Sequence, residues 1–359
     1  MNEKLAKLLK PVTVPVISAL AALFIGIFII ELTGNAAITA YGYMFSGAFG
    51  SFNRVCELLV ISIPFILTGL AVTFAYRSGV FTIGVDGQLI IGAVSASVVA
   101  HSLSAFPGPV RVILAIIAGM IAGGIWGSIA GALKAFRKVN EIVSTLLLNY
   151  IALYFVDYLY SGPLEASGSK IPQTEKIPDS AKLAILADGT RLHIGLIIAM
   201  ICVLVVYYIL FRTSWGMKFR AVGLNQIASN CNGVNVKKYM IMSMFISGAI
   251  GGLAGTIELL GTQFKIQSGF CEDYGFTGIA IALIGQLNPI GCILSGLFFG
   301  ALKVGSNSME LMTNVPSSIA DMIQGIVIIF VVAGSALVER NFLKLKLKNR
   351  KTQERRGDR

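Results

Sequence analysis

Apolar residues run through this chain in blocks of about twenty, the length an α-helix needs to cross roughly 30 Å of hydrocarbon. Ten spans can be drawn, over residues 12–31, 55–76, 80–100, 111–133, 141–160, 193–211, 239–261, 275–287, 290–304 and 317–338. The eighth and ninth are short and are parted by Leu287-Asn288-Pro289, which predicts a tight turn or a helical break. The pattern predicts an all-α, polytopic membrane protein of about ten transmembrane helices. The ten-residue alternation of an outer-membrane barrel is absent. Residues 32–53, rich in glycine, serine and aromatics, are expected along the membrane interface, and 161–192 form the longest polar loop. The chain thus reads as an N-terminal segment 1–11, a transmembrane domain 12–338 and a basic tail 339–359. The run after Lys4, Lys7 and Lys10 starts like a signal sequence, but its length and the lack of a small-residue cleavage site predict a retained first helix.

Small residues mark the helix faces. Gly119, Gly123, Gly127 and Gly131 form a ladder at four-residue spacing, repeated by Gly248 with Gly252, Gly251 with Gly255, and Gly296 with Gly300. In lipid such ladders let backbones approach closely, so the spans are expected to pack into tight internal seams. Residues 55–160 and 239–338 each hold four spans with a Gly-rich segment near the second, a pattern compatible with an inverted internal repeat.

Polar residues inside the spans are the candidates for function. Gly79 to Val94 carries Gly84, Asp86, Gly87 and Gln88 in close succession within an apolar run. Glycine weakens helix continuity there, and a carboxylate at membrane depth costs several kcal/mol unless it faces protein or water. Asp86 therefore either borders a pathway or pairs quietly with a neighbour. Glu57, Asn140, Glu141, Thr145, Asp157, Glu258, Asn307 and Asp321 also lie in or at the ends of spans. Glu141, Ser144 and Thr145 recur at i, i+3 and i+4, and Asn149 continues nearly the same face. Capping and helix pairing account for Asn140 and Glu141, whereas Asn149 is nearer the middle of its span. Phe81 and Tyr150 could stack on an aromatic cargo. The candidate translocation residues are thus Phe81, Asp86, Gln88, Ser144, Asn149 and Tyr150.

The 359 residues are 55% apolar and 13% charged, with a mean hydropathy of +0.78, which excludes a soluble domain. The net charge of +11 is concentrated beside the spans. With ten spans and an internal N-terminus, Lys4, Lys7, Lys10, Arg77, Lys134, Arg137, Lys138, Arg212, Lys218, Arg220, Lys237, Lys238 and those after Val338 fall inside. They are 21 of the 29 basic residues, which predicts that both termini are cytoplasmic in the cell membrane. Residues 212–238 are then the largest internal polar segment. Residues 224–231 fit a two-turn helix with Asn225 near its start, Gly233 closing it, and Leu224, Ile227 and Ala228 as apolar anchors for a partner's groove. The tail reads as a solvated basic segment near anionic headgroups.

Five cysteines without a C-x-x-C pair argue against a disulfide framework or zinc site. No Gly-x-x-x-x-Gly-Lys-Ser/Thr phosphate loop occurs, and His101 and His193 stand outside any metal-ligand spacing. The chain is therefore expected to be a transport subunit rather than an enzyme, with no cofactor or metal of its own. A proton-coupled carrier using Glu57, Asp86, Glu258 and Asp321 remains open.

Three stretches together resemble one family. Gly79-Val-Phe-Thr-Ile-Gly-Val-Asp-Gly-Gln-Leu-Ile-Ile-Gly-Ala is similar to a motif of permeases in the branched-chain amino acid, ribose and nucleoside group of ATP-binding cassette (ABC) importers. Asn140-Glu-Ile-Val-Ser-Thr-Leu-Leu-Leu-Asn-Tyr-Ile-Ala resembles the fifth helix of the nucleoside branch. Arg220-Ala-Val-Gly-Leu-Asn-Gln-Ile-Ala and Gly275-Phe-Thr-Gly-Ile-Ala-Ile-Ala-Leu-Ile-Gly-Gln-Leu-Asn-Pro resemble its coupling loop and the spans after it. Thr82, Asp86 and Gln286 stand where Asn, Glu and a basic residue are more usual. The resemblance implies a type II ABC importer-like permease fold. ATP would be used by separate cytoplasmic ATPase subunits docked around Val222 to Asn232, with Arg220, Gly223, Leu224, Asn225, Ile227 and Ala228 as the coupling residues. It also implies a second permease subunit in a heterodimer, this chain being the longer one by its loop 161–192. The remaining implied partner is an extracytoplasmic substrate-binding lipoprotein of the basic membrane protein type. Purine and pyrimidine nucleosides are the implied cargo; a simple sugar such as ribose, or an ion-coupled carrier, is the alternative.

Overall fold

The computed structural model describes residues 20–334 apart from positions 33, 35, 271–272, 314, 317, 320 and 332. The expected segments 1–11 and 339–359, and residues 12–19 of the first span, lie outside the described residues. In chain order the helices are α1 (Leu20–Leu32), α2 (Ala37–Phe49), α3 (Phe52–Arg77), α4 (Val85–Ser102), α5 (Gly108–Arg137), α6 (Glu141–Tyr160), α7 (Gly195–Arg212), α8 (Ser214–Leu224), α9 (Gln226–Cys231), α10 (Val236–Glu258), α11 (Tyr274–Ile284), α12 (Pro289–Thr313) and α13 (Asp321–Val331). A π-helical turn, Leu259–Gln263, extends α10. Isolated bridges such as Glu165 with Thr174 are the β-type pairings among the described residues, with no strand.

Seven described helices are long and apolar enough to cross a membrane: α3, α4, α5, α6, α7, α10 with its π turn, and α12. The shorter apolar helices α1, α11 and α13 fall on the first, eighth and tenth expected spans. Three expectations are corrected. The ninth span is not short but a 25-residue helix, because Lys303, Asn307 and Glu310 are carried on it. Residues 32–53 hold a 13-residue helix. Residues 80–84 are not helical, so the third span starts at Val85.

The described residues form two compact units, one within 48–304 and the other from the described residues on either side of that range. In the smaller unit the Tyr41 hydroxyl donates to the Leu23 carbonyl at 2.7 Å, and Gly47 lies against Ser308. In the larger unit α3, α4 and α10 are buried over most of their surface, whereas α5, α6 and α7 bury a single stripe. A helix apolar all round belongs at the centre of a bundle, and the sequences of α3 and α10 are of that kind.

The glycine ladders pack this centre. A methyl group on Gly123 of α5 would stand 2.8 Å from the Gly252 Cα of α10; one on Gly248 or Gly252 would strike the carbonyl of Gly123 or Gly119. Gly92 of α4 meets Gly252 as well, and Gly255 meets the Leu89 carbonyl. Three backbones thus touch with no side chains between them. Gly296 on Ile66 and Gly300 on Ser62 bring α12 onto α3 in the same way.

The two central helices run oppositely. α3 starts beside the long loop, where Glu57 pairs with Arg191 at 3.0 Å, and ends at Arg77 beside Gly223. α10 starts at that second end and finishes where the Leu260 carbonyl accepts from the Leu183 amide. Each is followed by non-helical residues, 78–84 and 264–270, before a new helix begins at Val85 and Tyr274.

Candidate functional site

The site is built where α4 and α11 begin. An elbow of residues 78–84 leads from α3 into α4, and Gly79 takes φ +78°, a conformation that favours glycine. The start of a helix leaves amides without partners, and a local Ser, Thr, Asp or Asn ordinarily supplies them. Here neither Gly84 before α4 nor Asp273 before α11 makes a side-chain cap. Both helices are capped from elsewhere in the fold.

Asn149 of α6 caps α4. Its Oδ1 accepts from the Gly87 amide at 2.8 Å, and its Nδ2 donates to the Ile83 carbonyl at 2.8 Å. One turn earlier, Thr145 Oγ1 accepts from the Ile83 amide at 3.2 Å. Both polar groups of a buried side chain are thus spent on the elbow. Asp86, in the first turn of α4, does the same for α11. Its Oδ1 accepts from the Gly275 amide at 2.6 Å, and the Phe276 amide also bonds to it. A carboxylate on the first turn of a helix is favoured by the macrodipole as well as by the hydrogen bonds. A methyl group on Gly275 would come within 2.7 Å of the Asp86 Cγ, so the contact requires glycine. The caps therefore form a chain: α6 holds α4, and α4 holds α11.

The structure does not bring all the expected pathway residues together. Asp86, Gln88, Ser144 and Asn149 are buried in this region. Gln88 fills the gap between Gly127 of α5 and Gly251 of α10. Ser144 Oγ donates to the carbonyl of Glu141 within its own helix. Phe81 sits on the elbow with its ring 4.3 Å from that of Tyr76. Tyr150 lies outside the buried stripe of α6 and is 52% exposed. Asn140 caps α6 through the Ile142 amide, and Glu141 pairs with Lys134 at 2.6 Å.

The far end of the elbow meets residues 212–238. Two helices form there, not one: α8, with Thr213 Oγ1 accepting from the Gly216 amide, and α9, with Asn225 Oδ1 accepting from the Ala228 amide at 2.9 Å. Asn225 is extended, so it ends one helix and starts the next. Leu224, Ile227 and Ala228 are exposed, Leu224 by 88%. Gly223 faces inward to the elbow: a methyl group on Gly79 would lie 2.7 Å from its Cα. Arg220 lies over the Phe211 ring at 5.3 Å.

Sequence reasoning passed over Arg77, the last residue of α3. Its Nε donates to the Leu287 carbonyl at 2.8 Å and its Nη2 to the Gln286 carbonyl at 3.4 Å, just beyond the C-terminus of α11. Its position two residues before Gly79 was the available signal.

At the other end, the loop after α6 is strapped to the chain beyond α10. The Thr174 amide donates to the Ile266 carbonyl at 2.9 Å and the Ile177 amide to the Phe264 carbonyl at 2.8 Å. His193 is buried against Gly195 and Gly261, with Nδ1 accepting from the Gly195 amide. Burial, with the Arg191 charge beside it, pushes its pKa down to about 4. Lys182 holds the Asp179 carboxyl below the usual range. Among the described residues no cluster of three or more His, Cys, Asp or Glu could hold a metal.

Residues 54–332 match the family described as the branched-chain amino acid transport system permease component. The chain belongs to that family. Among curated members of this permease family, the guanosine ABC transporter permease NupP of Bacillus subtilis is 38% identical over 96% of this chain and 99% of its own length. The glucose ABC transporter permease TsgB13 of Haloferax volcanii is 34% identical over 89% of this chain and 86% of its own. The nucleoside ABC transporter permease NupB of Lactococcus lactis is 32% identical over 92% of each. No solved structure matches the chain. As a permease of this family the chain is a multi-pass membrane protein, and its α3–α4 elbow lies within the matched region.

Proposed function

We propose that this chain is a permease subunit of an ATP-driven importer of purine and pyrimidine nucleosides, powered by separate ATPase subunits. The observation that carries the reading is the direct seating of the exposed α8–α9 segment on the α3–α4 elbow through Gly223 and Gly79. A segment with Leu224, Ile227 and Ala228 facing outward offers a partner an apolar grip. Movement of that grip reaches an elbow that starts α4 at membrane depth, and the first turn of α4 in turn caps α11 through Asp86. Broken helices at such depth are the usual place for a transporter's cargo to pass.

The cargo assignment draws on the guanosine and nucleoside permeases among the relatives. The glucose permease among the relatives favours a sugar as the second reading. In this scheme the 212–238 end and both termini are cytoplasmic, and a binding lipoprotein delivers cargo to the 161–192 end. A second, different permease subunit completes the passage.

Uptake into proteoliposomes containing the assembled importer tests the reading. ATP-dependent uptake of labelled guanosine, competed by other nucleosides but not by ribose, glucose or leucine, is expected. Uptake by this chain without ATPase subunits, driven by an ion gradient, would overturn it.

A further inference from the structure

We propose that Arg77 is a positioning residue that carries movement of the α8–α9 segment to α11, and that α11 is the helix that moves. The inference rests on the reading of 212–238 as the ATPase-coupling segment. Three observations lead to it.

First, α11 is half a span. Its 11 residues rise about 16 Å, roughly half the hydrocarbon thickness. Both ends are gripped by the residues flanking the elbow. Asp86 bonds the amides at its N-terminus, and Arg77 bonds the Gln286 and Leu287 carbonyls past its C-terminus. The anion and the cation each stand at the end of the dipole that favours them.

Second, the turn that Arg77 holds is strained. Gln286 and Leu287 have φ of 54° and 53°, consecutive left-handed residues that are not glycine. Such residues persist only where surrounding contacts enforce them, and they gather at switch regions. Pro289 then starts α12, so the turn cannot be relieved by extending α11 into α12.

Third, Arg77 is joined directly to the coupling segment. A methyl group on Gly223 would collide with the Arg77 carbonyl. The Phe211 ring, at the end of α7, is in contact with both the Arg77 guanidinium, at 5.6 Å, and that of Arg220, at 5.3 Å. A shift of α8 therefore acts on the Arg77 backbone through Gly223 and on its side chain through Phe211. Contacts without slack pass small shifts on, because packed interfaces switch rather than stretch.

The test uses the whole importer in proteoliposomes: this chain, its partner permease, the ATPase subunits and cargo-loaded binding protein. Arg77→Gln is expected to keep ATP hydrolysis within about twofold and to cut uptake per ATP by about tenfold or more, the worth of a lost charged hydrogen bond. Arg77→Lys keeps the charge but not the planar fork and is expected to fall between. Unchanged uptake per ATP in Arg77→Gln overturns the proposal. Should Arg77→Gln fail to assemble, Phe211→Leu decides: a loss of about threefold in uptake per ATP is expected, and no loss overturns it. Crosslinking from the exposed native Cys231 separates this from failure of the underlying reading. A crosslink to an ATPase subunit together with normal coupling in Arg77→Gln removes the relay alone. No crosslink in the unaltered importer removes the coupling assignment and the relay with it.

Discussion

Replacing Asn149 by Leu keeps much of the side-chain volume and removes both of its hydrogen bonds to the elbow. The Gly87 amide, buried at the start of α4, then loses its acceptor, and the part-buried Ile83 carbonyl loses its donor. An orphaned buried group costs about 1–3 kcal/mol. With the carbonyl at the lower end, the pair amounts to about 2–4 kcal/mol. Asn149→Asp retains the acceptor for Gly87 and, by taking up a proton, a donor for the Ile83 carbonyl, at the cost of that protonation, so its loss should be intermediate. Unfolding midpoints of the purified protein in detergent would then fall in the order wild type, Asn149→Asp, Asn149→Leu, the last by about 3–5 °C. Nucleoside uptake by the assembled importer should follow the same order. An Asn149→Leu protein that melts like wild type would refute capping as the residue's role. If uptake alone were then lost, Asn149 would instead belong among groups that touch the cargo.

Further tests address other parts of the protein. Gly252→Val forces side-chain atoms into the Gly119 carbonyl and the Gly123 Cα, and should cost at least about 1–3 kcal/mol, read as lost monodisperse yield; Gly42→Val, with open space around it, should be tolerated. Asp86→Asn retains an acceptor for the Gly275 amide and should transport better than Asp86→Leu; equal uptake by the two would count against the cap on α11. His193, held at about 4 against an ordinary value near 6.5, stays neutral while the unfolded chain takes up a proton. Stability should therefore drop as pH falls below about 6.5, by about 2 kcal/mol at pH 5, and His193→Gln should flatten melting curves across that window.

Much of the bundle is legible in the residues. The four-residue glycine spacing of Gly119 to Gly131 predicts a seam, and the seam is there. The α6 bounds follow from Asn140 as cap and the polar turn at Ser161. Other features depend on partners far along the chain. Nothing near Asn149 says that its amide serves residues 62 and 66 positions away, and the place of Arg77 before Gly79 marks it as an elbow residue without naming α11 as its partner. Tyr150 was separable in principle. Thr145, Asn149, Ala152 and Val156 share the buried stripe of α6, and a residue next to Asn149 is turned about 100° from it. The length of α12 was hidden by Lys303, Asn307 and Glu310, which end an apolar run but do not end a helix.

Because α11 covers only half the distance, residues 264–270 ahead of it run as coil, whose amides and carbonyls cannot face hydrocarbon. Thr174, Ile177 and Leu183, by bonding to Ile266, Phe264 and Leu260, supply part of what a longer helix would have supplied for itself. The extended loop after α6 is in that sense a plug, seated in the vacancy left by a truncated helix. Trimming the loop should therefore be tolerated only in a protein whose eighth span is lengthened to match.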